Sequence, residues 1–248
     1  MDLGIAGRTA IICASSKGLG RGCAEALAEA GCTVVINGRD GATLEETASQ
    51  IRASYGAKVV AVVADVSTRA GQDALLAAAP EPDILVNNNG GPPPKGFRDV
   101  TREALLEGVI QNMATPIELT QRVVDGMIAR KFGRIVNITS MSVLTPLTGL
   151  DVSSGARAGL TAFLAGVSRE VAHANVTINN ILPGMFDTDR LKGSMTKMAA
   201  LRNVRSRRWP RRAWPMCRPS ASATPRNSAS SAPSSPARMP ATSPARIS

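Results

Sequence analysis

A single histidine, a single tyrosine and four cysteines leave this chain short of material for several common chemistries. One imidazole excludes a multi-histidine metal centre, and Cys13, Cys23, Cys32 and Cys217 show no metal-ligand spacing. They read as reduced thiols, which places the protein in the cytoplasm. No apolar run reaches the roughly 18 residues of a membrane span. The opening MDLGIAGRTAIIC lacks the basic and apolar parts of a secretory leader. Neither a membrane nor a metal is expected as a partner.

Acidic residues are also missing, but only from one end. Of the 29 basic residues, ten are arginines within 201–248, a stretch with no Asp, Glu or Lys; the other 19 face 19 acidic residues in 1–200. The formal net charge of +10 therefore belongs to the tail, and the body is neutral. Half of the prolines and both tryptophans also lie in the tail, where Pro, Ser, Ala and Arg are too dense to build a core. Residues 1–202 thus form one domain and 203–248 an atypical basic tail.

Three readings of that tail stand side by side. It is a basic arm for nucleic acid, a disordered tail without a role, or a GC-rich gene read out of frame. The third is adopted here. ASATPRNSA (221–229) can be encoded by bases that, read one position earlier, spell RFGDPAEFG, and PARMPATSPARIS (236–248) can hide SSAHAGYITGQNL. On this reading no nucleic-acid partner is expected.

The body alternates apolar, β-branched runs with amphipathic ones. Strands are expected near 9–13, 33–37, 58–63, 83–87, 133–138 and 176–182, and helices near 18–30, 41–54, 69–79, 101–130 and 154–173. Continuous apolar strands alternating with helices predict an α/β fold, a doubly wound parallel sheet (Rossmann fold) in a single domain. Such sheets bind dinucleotides at the carboxyl ends of the strands.

Between the first strand and first helix lies CASSKGLGRG, with Gly18 and Gly20 opening the helix. Glycines there let the backbone approach a pyrophosphate, and a helix N-terminus supplies unpaired N–H groups. After the second strand, NGRD puts Arg39 where an acid would bind a ribose 2′-hydroxyl, and Lys17 adds a cation in the glycine loop. Both favour NADP(H) over NAD(H).

With CASSKGLG, Asp65-Val66, NNNG at 87–90, Asn112, Ser140 and PGMFDT at 183–188, residues 5–192 resemble the short-chain dehydrogenase/reductases, in particular the 3-oxoacyl-acyl-carrier-protein reductase-like members. The resemblance implies that Ser16, Gly18, Leu19 and Gly20 hold the cofactor phosphates. Asp65 would bind the adenine amino group with Val66 beside it. Asn87, Asn88, Asn89 and Gly90 would flank the adenine-side ribose, with Asn89 where alanine is usual. Pro183, Gly184 and Thr188 would hold the nicotinamide carboxamide. Cys13 and Ala14 replace the usual Thr-Gly, and Ala14 is expected to fit with a negative φ.

The resemblance also implies a chemistry, hydride transfer between nicotinamide and a carbonyl or alcohol carbon of a small molecule. Ser140 matches the serine that holds the substrate oxygen, and Asn112 the asparagine of the water relay. Thirteen residues past Ser140, where the family places its proton-donating tyrosine, stands Ser153; four later Arg157 replaces the lysine. The only tyrosine, Tyr55, falls after the second helix, away from the nicotinamide end. A serine is a far weaker acid than a phenol, and arginine stays protonated and cannot serve as a base. Arginine can still bind the nicotinamide ribose and stabilise an alkoxide as a fixed cation.

Three functions are weighed: an NADP(H)-dependent oxidoreductase with altered proton handling, a cofactor-binding non-enzyme acting as regulator or oligomer partner, and a basic-tail nucleic-acid binder. The first is preferred, as a homodimer or homotetramer.

Overall fold

The computed structural model describes residues 2–184, so Thr188 and the 203–248 tail lie outside the described residues. Six strands appear where the apolar runs predicted them: β1 (Thr9–Ile12), β2 (Thr33–Gly38), β3 (Val59–Val63), β4 (Ile84–Asn87), β5 (Gly133–Ile138) and β6 (Val176–Ile181). All neighbours pair in parallel, in the order β3-β2-β1-β4-β5-β6. The order reverses between β1 and β4, which opens a crevice at their carboxyl ends.

Both faces of the sheet are covered, and the period of two divides the core. Ala10, Ile12, Val34 and Ile36 point to one side, against α1 (Gly18–Glu29) and α2 (Gly41–Tyr55). Ile11, Val35, Leu85 and Ile135 point to the other, beside Leu75 of α3 (Arg69–Ala78) and Leu119 of α5 (Thr115–Ala129). Two faces buried at once explain strands with almost no polar alternation.

One polar row interrupts this core. Asn87, Asn137 and Asn180 sit in register on β4, β5 and β6. Asn87 Nδ2 donates to Asn137 Oδ1 at 2.9 Å, and Asn137 Nδ2 to Asn180 Oδ1 at 3.1 Å. Each of these bonds pairs an amide donor with a neighbouring amide acceptor, while Asn87 Oδ1 at the buried end of the row has no partner among the described residues.

Two helical boundaries differ from the expectation. The single helix expected over 101–130 is α4 (Arg102–Val109), a π-helical turn (Ile110–Ala114) and α5. The chain runs through without a break, so one widened turn leaves no mark on the apolar pattern. The last helix, α6 (Asp151–Val171), begins three residues earlier than expected. Gly149, at φ +84°, turns the chain into it, a conformation open to glycine at little cost.

Candidate active site

The turn from β1 to α1 is held from beneath by Asn37 at the end of β2. Ser15 N–H donates to Asn37 O at 2.7 Å, Asn37 N–H donates to Ser15 Oγ at 2.9 Å, and Ala14 N–H donates to Asn37 Oδ1 at 3.3 Å. Ala14 adopts φ +44°, so the expectation of a negative φ fails. The tight turn demands the left-handed conformation whatever residue occupies it, and a Cβ there costs about 1–2 kcal/mol.

Gly20 is buried in the first turn of α1. A Cβ on it would lie 2.4 Å from Ala14 O and 2.6 Å from Asn88 Nδ2, which itself donates to Ala14 O at 3.1 Å. Only glycine lets the loop after β4 and the loop after β1 close on each other here. Lys17 is the N-cap of α1 but supplies no side-chain cap. By contrast Asp40, Thr68 and Thr101 cap α2, α3 and α4 with their side chains. The first-turn N–H groups of α1 are thus left for an anion.

Beside the β1–α1 turn lies a cleft of about 200 Å³, lined by Ser16, Arg39, Asp65, Val66, Asn89 and Gly90 among the sequence-predicted residues. Gln111, Ser67, Asn37 and Gly38 also line it and were not singled out in the sequence. The available signal was Asn37, an amide closing the apolar run TVVIN. The Asp65 carboxyl is held below its ordinary pKa, first by the Ser67 hydroxyl (2.7 Å) and amide (3.0 Å), with the Arg39 guanidinium adding a smaller pull. Arg39 stands 3.9 Å from Asp65 Oδ2 and is largely exposed. Asn87, by contrast, is buried in the amide row.

Residues predicted for catalysis meet at the ends of β4, β5 and β6. Arg157, on α6, is only 7% exposed. Its Nη1 donates to Ile138 O at 2.6 Å, its Nη2 to Asn89 O at 3.3 Å, and its Nε to Ser153 Oγ at 3.2 Å. Asn112, in the π-helical turn, is buried; its Nδ2 donates to Gly90 O at 3.4 Å and Gly108 O at 3.3 Å, while Oδ1 has no partner. Asn89 Nδ2 donates to Gln111 O at 2.8 Å. The Asn89–Gly90 segment is therefore gripped from α6 and from the π-helical turn.

Ser140 follows β5 in extended conformation and caps a 3₁₀ turn, Met141–Val143. Met141 N–H donates to Pro183 O at 3.0 Å, which ties this turn to the predicted Pro183-Gly184 segment. Gly184 lies against Met141, a Cβ on it coming 3.7 Å from Met141 Sδ. Tyr55 ends α2, and a helix that leaves the carboxyl end of β2 finishes at the amino ends of the strands. It is far from this site, as the sequence implied.

A nicotinamide dinucleotide fits these residues on two observations: the glycine that a Cβ would clash with, and the uncapped N-terminus of α1, which follows directly on the Ala14–Ser16 turn that lines the cleft. Among the described residues no cluster of metal ligands and no helix long and apolar enough to cross a membrane occurs.

Comparison with known proteins agrees. The short chain dehydrogenase family model matches residues 8–199. The 3-oxoacyl-[acyl-carrier-protein] reductase of Aquifex aeolicus is 32% identical over 193 residues, covering 76% of this chain and 78% of its own. Acetoacetyl-CoA reductase of Allochromatium vinosum is 34% identical over 187 residues, covering 73% of this chain and 76% of its own. Among solved structures, L-sorbose reductase from Gluconobacter frateurii, complexed with NADPH and L-sorbose, matches with a TM-score of 0.75 at 29% identity, covering 81% of this chain and 78% of its own. The chain belongs to the short-chain dehydrogenase/reductase family of nicotinamide-dependent oxidoreductases.

Proposed function

We propose that this protein is an NADP(H)-dependent oxidoreductase acting on a small carbonyl or alcohol, with Ser153 and Arg157 in place of the family's Tyr and Lys. The observation that carries the reading is the continuity of the site. The uncapped α1 end and the cleft lead along the Asn89–Gly90 segment to Arg157, Asn112 and Ser140. When bound, the cofactor supplies or accepts the hydride.

The phosphorylated cofactor is supported by the charges beyond β2. Arg39 lines the cleft, whereas Asp40, the next residue along the chain, accepts from Thr43 N–H at 2.7 Å and caps α2. A 2′-phosphate would meet Arg39, with Lys17 on the glycine loop near enough to act on the neighbouring Asp40 carboxylate. Ser16, Lys17, Gly18, Leu19 and Gly20 would hold the diphosphate, Asp65 and Val66 the adenine, and Asn88, Asn89 and Gly90 the ribose side. Pro183, Gly184 and Thr188 would hold the carboxamide. Asn87 acts through the sheet instead.

At the reacting end, Arg157 binds the nicotinamide ribose and sets a fixed positive charge near the substrate oxygen. Ser140 hydrogen-bonds that oxygen. Neither Ser153 nor Arg157 supplies a tunable proton near pH 7, so the proton comes from water beside Asn112 and Ser153. General acid–base help is worth roughly 10²–10⁴-fold. The expected enzyme is slow rather than dead.

A second reading, a cofactor-binding non-enzyme, is favoured by one observation: Arg157 is committed to two main-chain carbonyls, as a structural tie would be. A homodimer or homotetramer is supported by exposed Leu105, Leu106, Ile110 and Phe163 on the packed α4–α6 side. Residence in the cytoplasm rests on the free thiols Cys13, Cys23 and Cys32. The composition change near residue 203 supports a domain over 1–202 and a tail that is an out-of-frame product.

NADPH fluorescence titration with turnover of a carbonyl panel tests the reading. NADPH binding, slow turnover and acceleration by Ser153→Tyr with Arg157→Lys are expected. Binding without turnover, unrestored by that pair, assigns the non-enzyme reading.

A further inference from the structure

The Ser140 hydroxyl is approached twice by one neighbour. Ser142 donates its backbone N–H to Ser140 Oγ at 3.1 Å, and its own Oγ lies 2.9 Å from the same atom. Ser142 is 1% exposed, and its hydroxyl has no other partner among the described residues. Ser140 is more open and borders the strand ends.

Two hydroxyls can share a hydrogen bond in either direction, but here the directions are unequal. If Ser140 donated, the Ser142 proton would be buried with nothing among the described residues to accept it, the costly half of the hydrogen-bond balance. If Ser142 donates, every group is satisfied. A hydroxyl oxygen accepts two hydrogen bonds and donates one. Both acceptor positions of Ser140 Oγ are then filled by Ser142, and its single proton is left to point away from Ser142, on the partly exposed side of Ser140.

We infer that Ser142 is a positioning residue that fixes Ser140 as a hydrogen-bond donor to the substrate oxygen. Accepting two bonds also polarises the Ser140 O–H and strengthens what it donates. Ser142 touches neither substrate nor cofactor and moves no proton itself. The site is thereby set for an oxygen that accepts, a carbonyl or the alkoxide formed from it. An alcohol substrate has to release its own proton to water rather than to Ser140. Only the identity of what meets the Ser140 proton rests on the oxidoreductase reading; the direction of that proton does not.

Neutron diffraction from crystals of the deuterated full-length chain tests the direction. Expected is the Ser142 deuteron on the line between the two oxygens and the Ser140 deuteron off it, pointing away from Ser142. A Ser140 deuteron aimed at Ser142 Oγ overturns the inference. Steady-state kinetics with NADPH and acetoacetyl-CoA give a second readout. Ser142→Ala should lower kcat about tenfold, the size of one ordinary hydrogen bond, with KM for NADPH unchanged. An unchanged kcat, or a fall matched by lost NADPH affinity, argues against positioning. A wild-type chain that turns over no carbonyl sinks the oxidoreductase reading alone, and the deuteron still decides the inference.

Discussion

Arg157 Nη1 donates to the carbonyl oxygen of Ile138 at 2.6 Å, which fastens the middle of α6 to the end of β5. The same guanidinium reaches Asn89 O and Ser153 Oγ, so one side chain joins three segments of the candidate active site. A charge with these bonds is held in place rather than merely tolerated.

Removing it should therefore cost stability as well as function. Arg157→Ala leaves two main-chain carbonyls without their donor, and about 3 kcal/mol of unfolding free energy should be lost. Urea denaturation followed by circular dichroism measures this. A loss under about 0.5 kcal/mol would mean that the tie carries no load.

The strained turn predicts the opposite sign. Ala14, at φ +44°, carries a Cβ in the left-handed region. Relief of about 1–2 kcal/mol outweighs the roughly 0.5–1 kcal/mol entropic cost of glycine. Ala14→Gly should raise stability by about 0.5–1 kcal/mol and Tm by roughly 1–4 °C for a chain of this size. Differential scanning calorimetry reads it directly.

Burial of Cys13 gives a pH prediction. Desolvation pushes its thiol from the ordinary 9.0 up to about 12, against a smaller opposing hydrogen bond at Asn88. The folded chain keeps this proton where the unfolded chain has lost it. Its contribution is therefore full below pH 9 and is lost as pH rises toward 12. Cys13→Ala should flatten the fall of stability across that window, measured by urea midpoints at stepped pH. Native Cys13 should also resist iodoacetamide at pH 8 and react on unfolding.

Arg39 is the group on which cofactor choice turns. Arg39→Ala should weaken NADPH binding about 10–100-fold, the value of a charge-assisted contact, and leave NADH binding nearly unchanged. Equal losses for both cofactors would remove the 2′-phosphate argument.

What could be read from the chain was whatever its periodicity and turn chemistry carry. Strands such as TVVIN and GRIVNI are buried on both faces, so their apolar runs marked all six. Gly18 and Gly20 marked the tight entry into α1 because position and residue type agree. The π-helical turn around Asn112 was hidden, since one wider turn barely disturbs a helical pattern, although an asparagine in mid-helix hinted at it. The conformation of Ala14 was hidden because alanine points away from a positive φ that the turn imposes. The main-chain partners of Arg157 come from segments 19 and 68 residues away in sequence, and no local pattern encodes such a meeting.

Isothermal titration calorimetry of the full chain with NADPH tests the central claim most directly, that a phosphorylated dinucleotide lies across the strand ends against α1. The account predicts saturable heat at one NADPH per chain, abolished by Gly20→Ala, whose Cβ would collide with Ala14 O. No heat from the folded wild-type chain would contradict it.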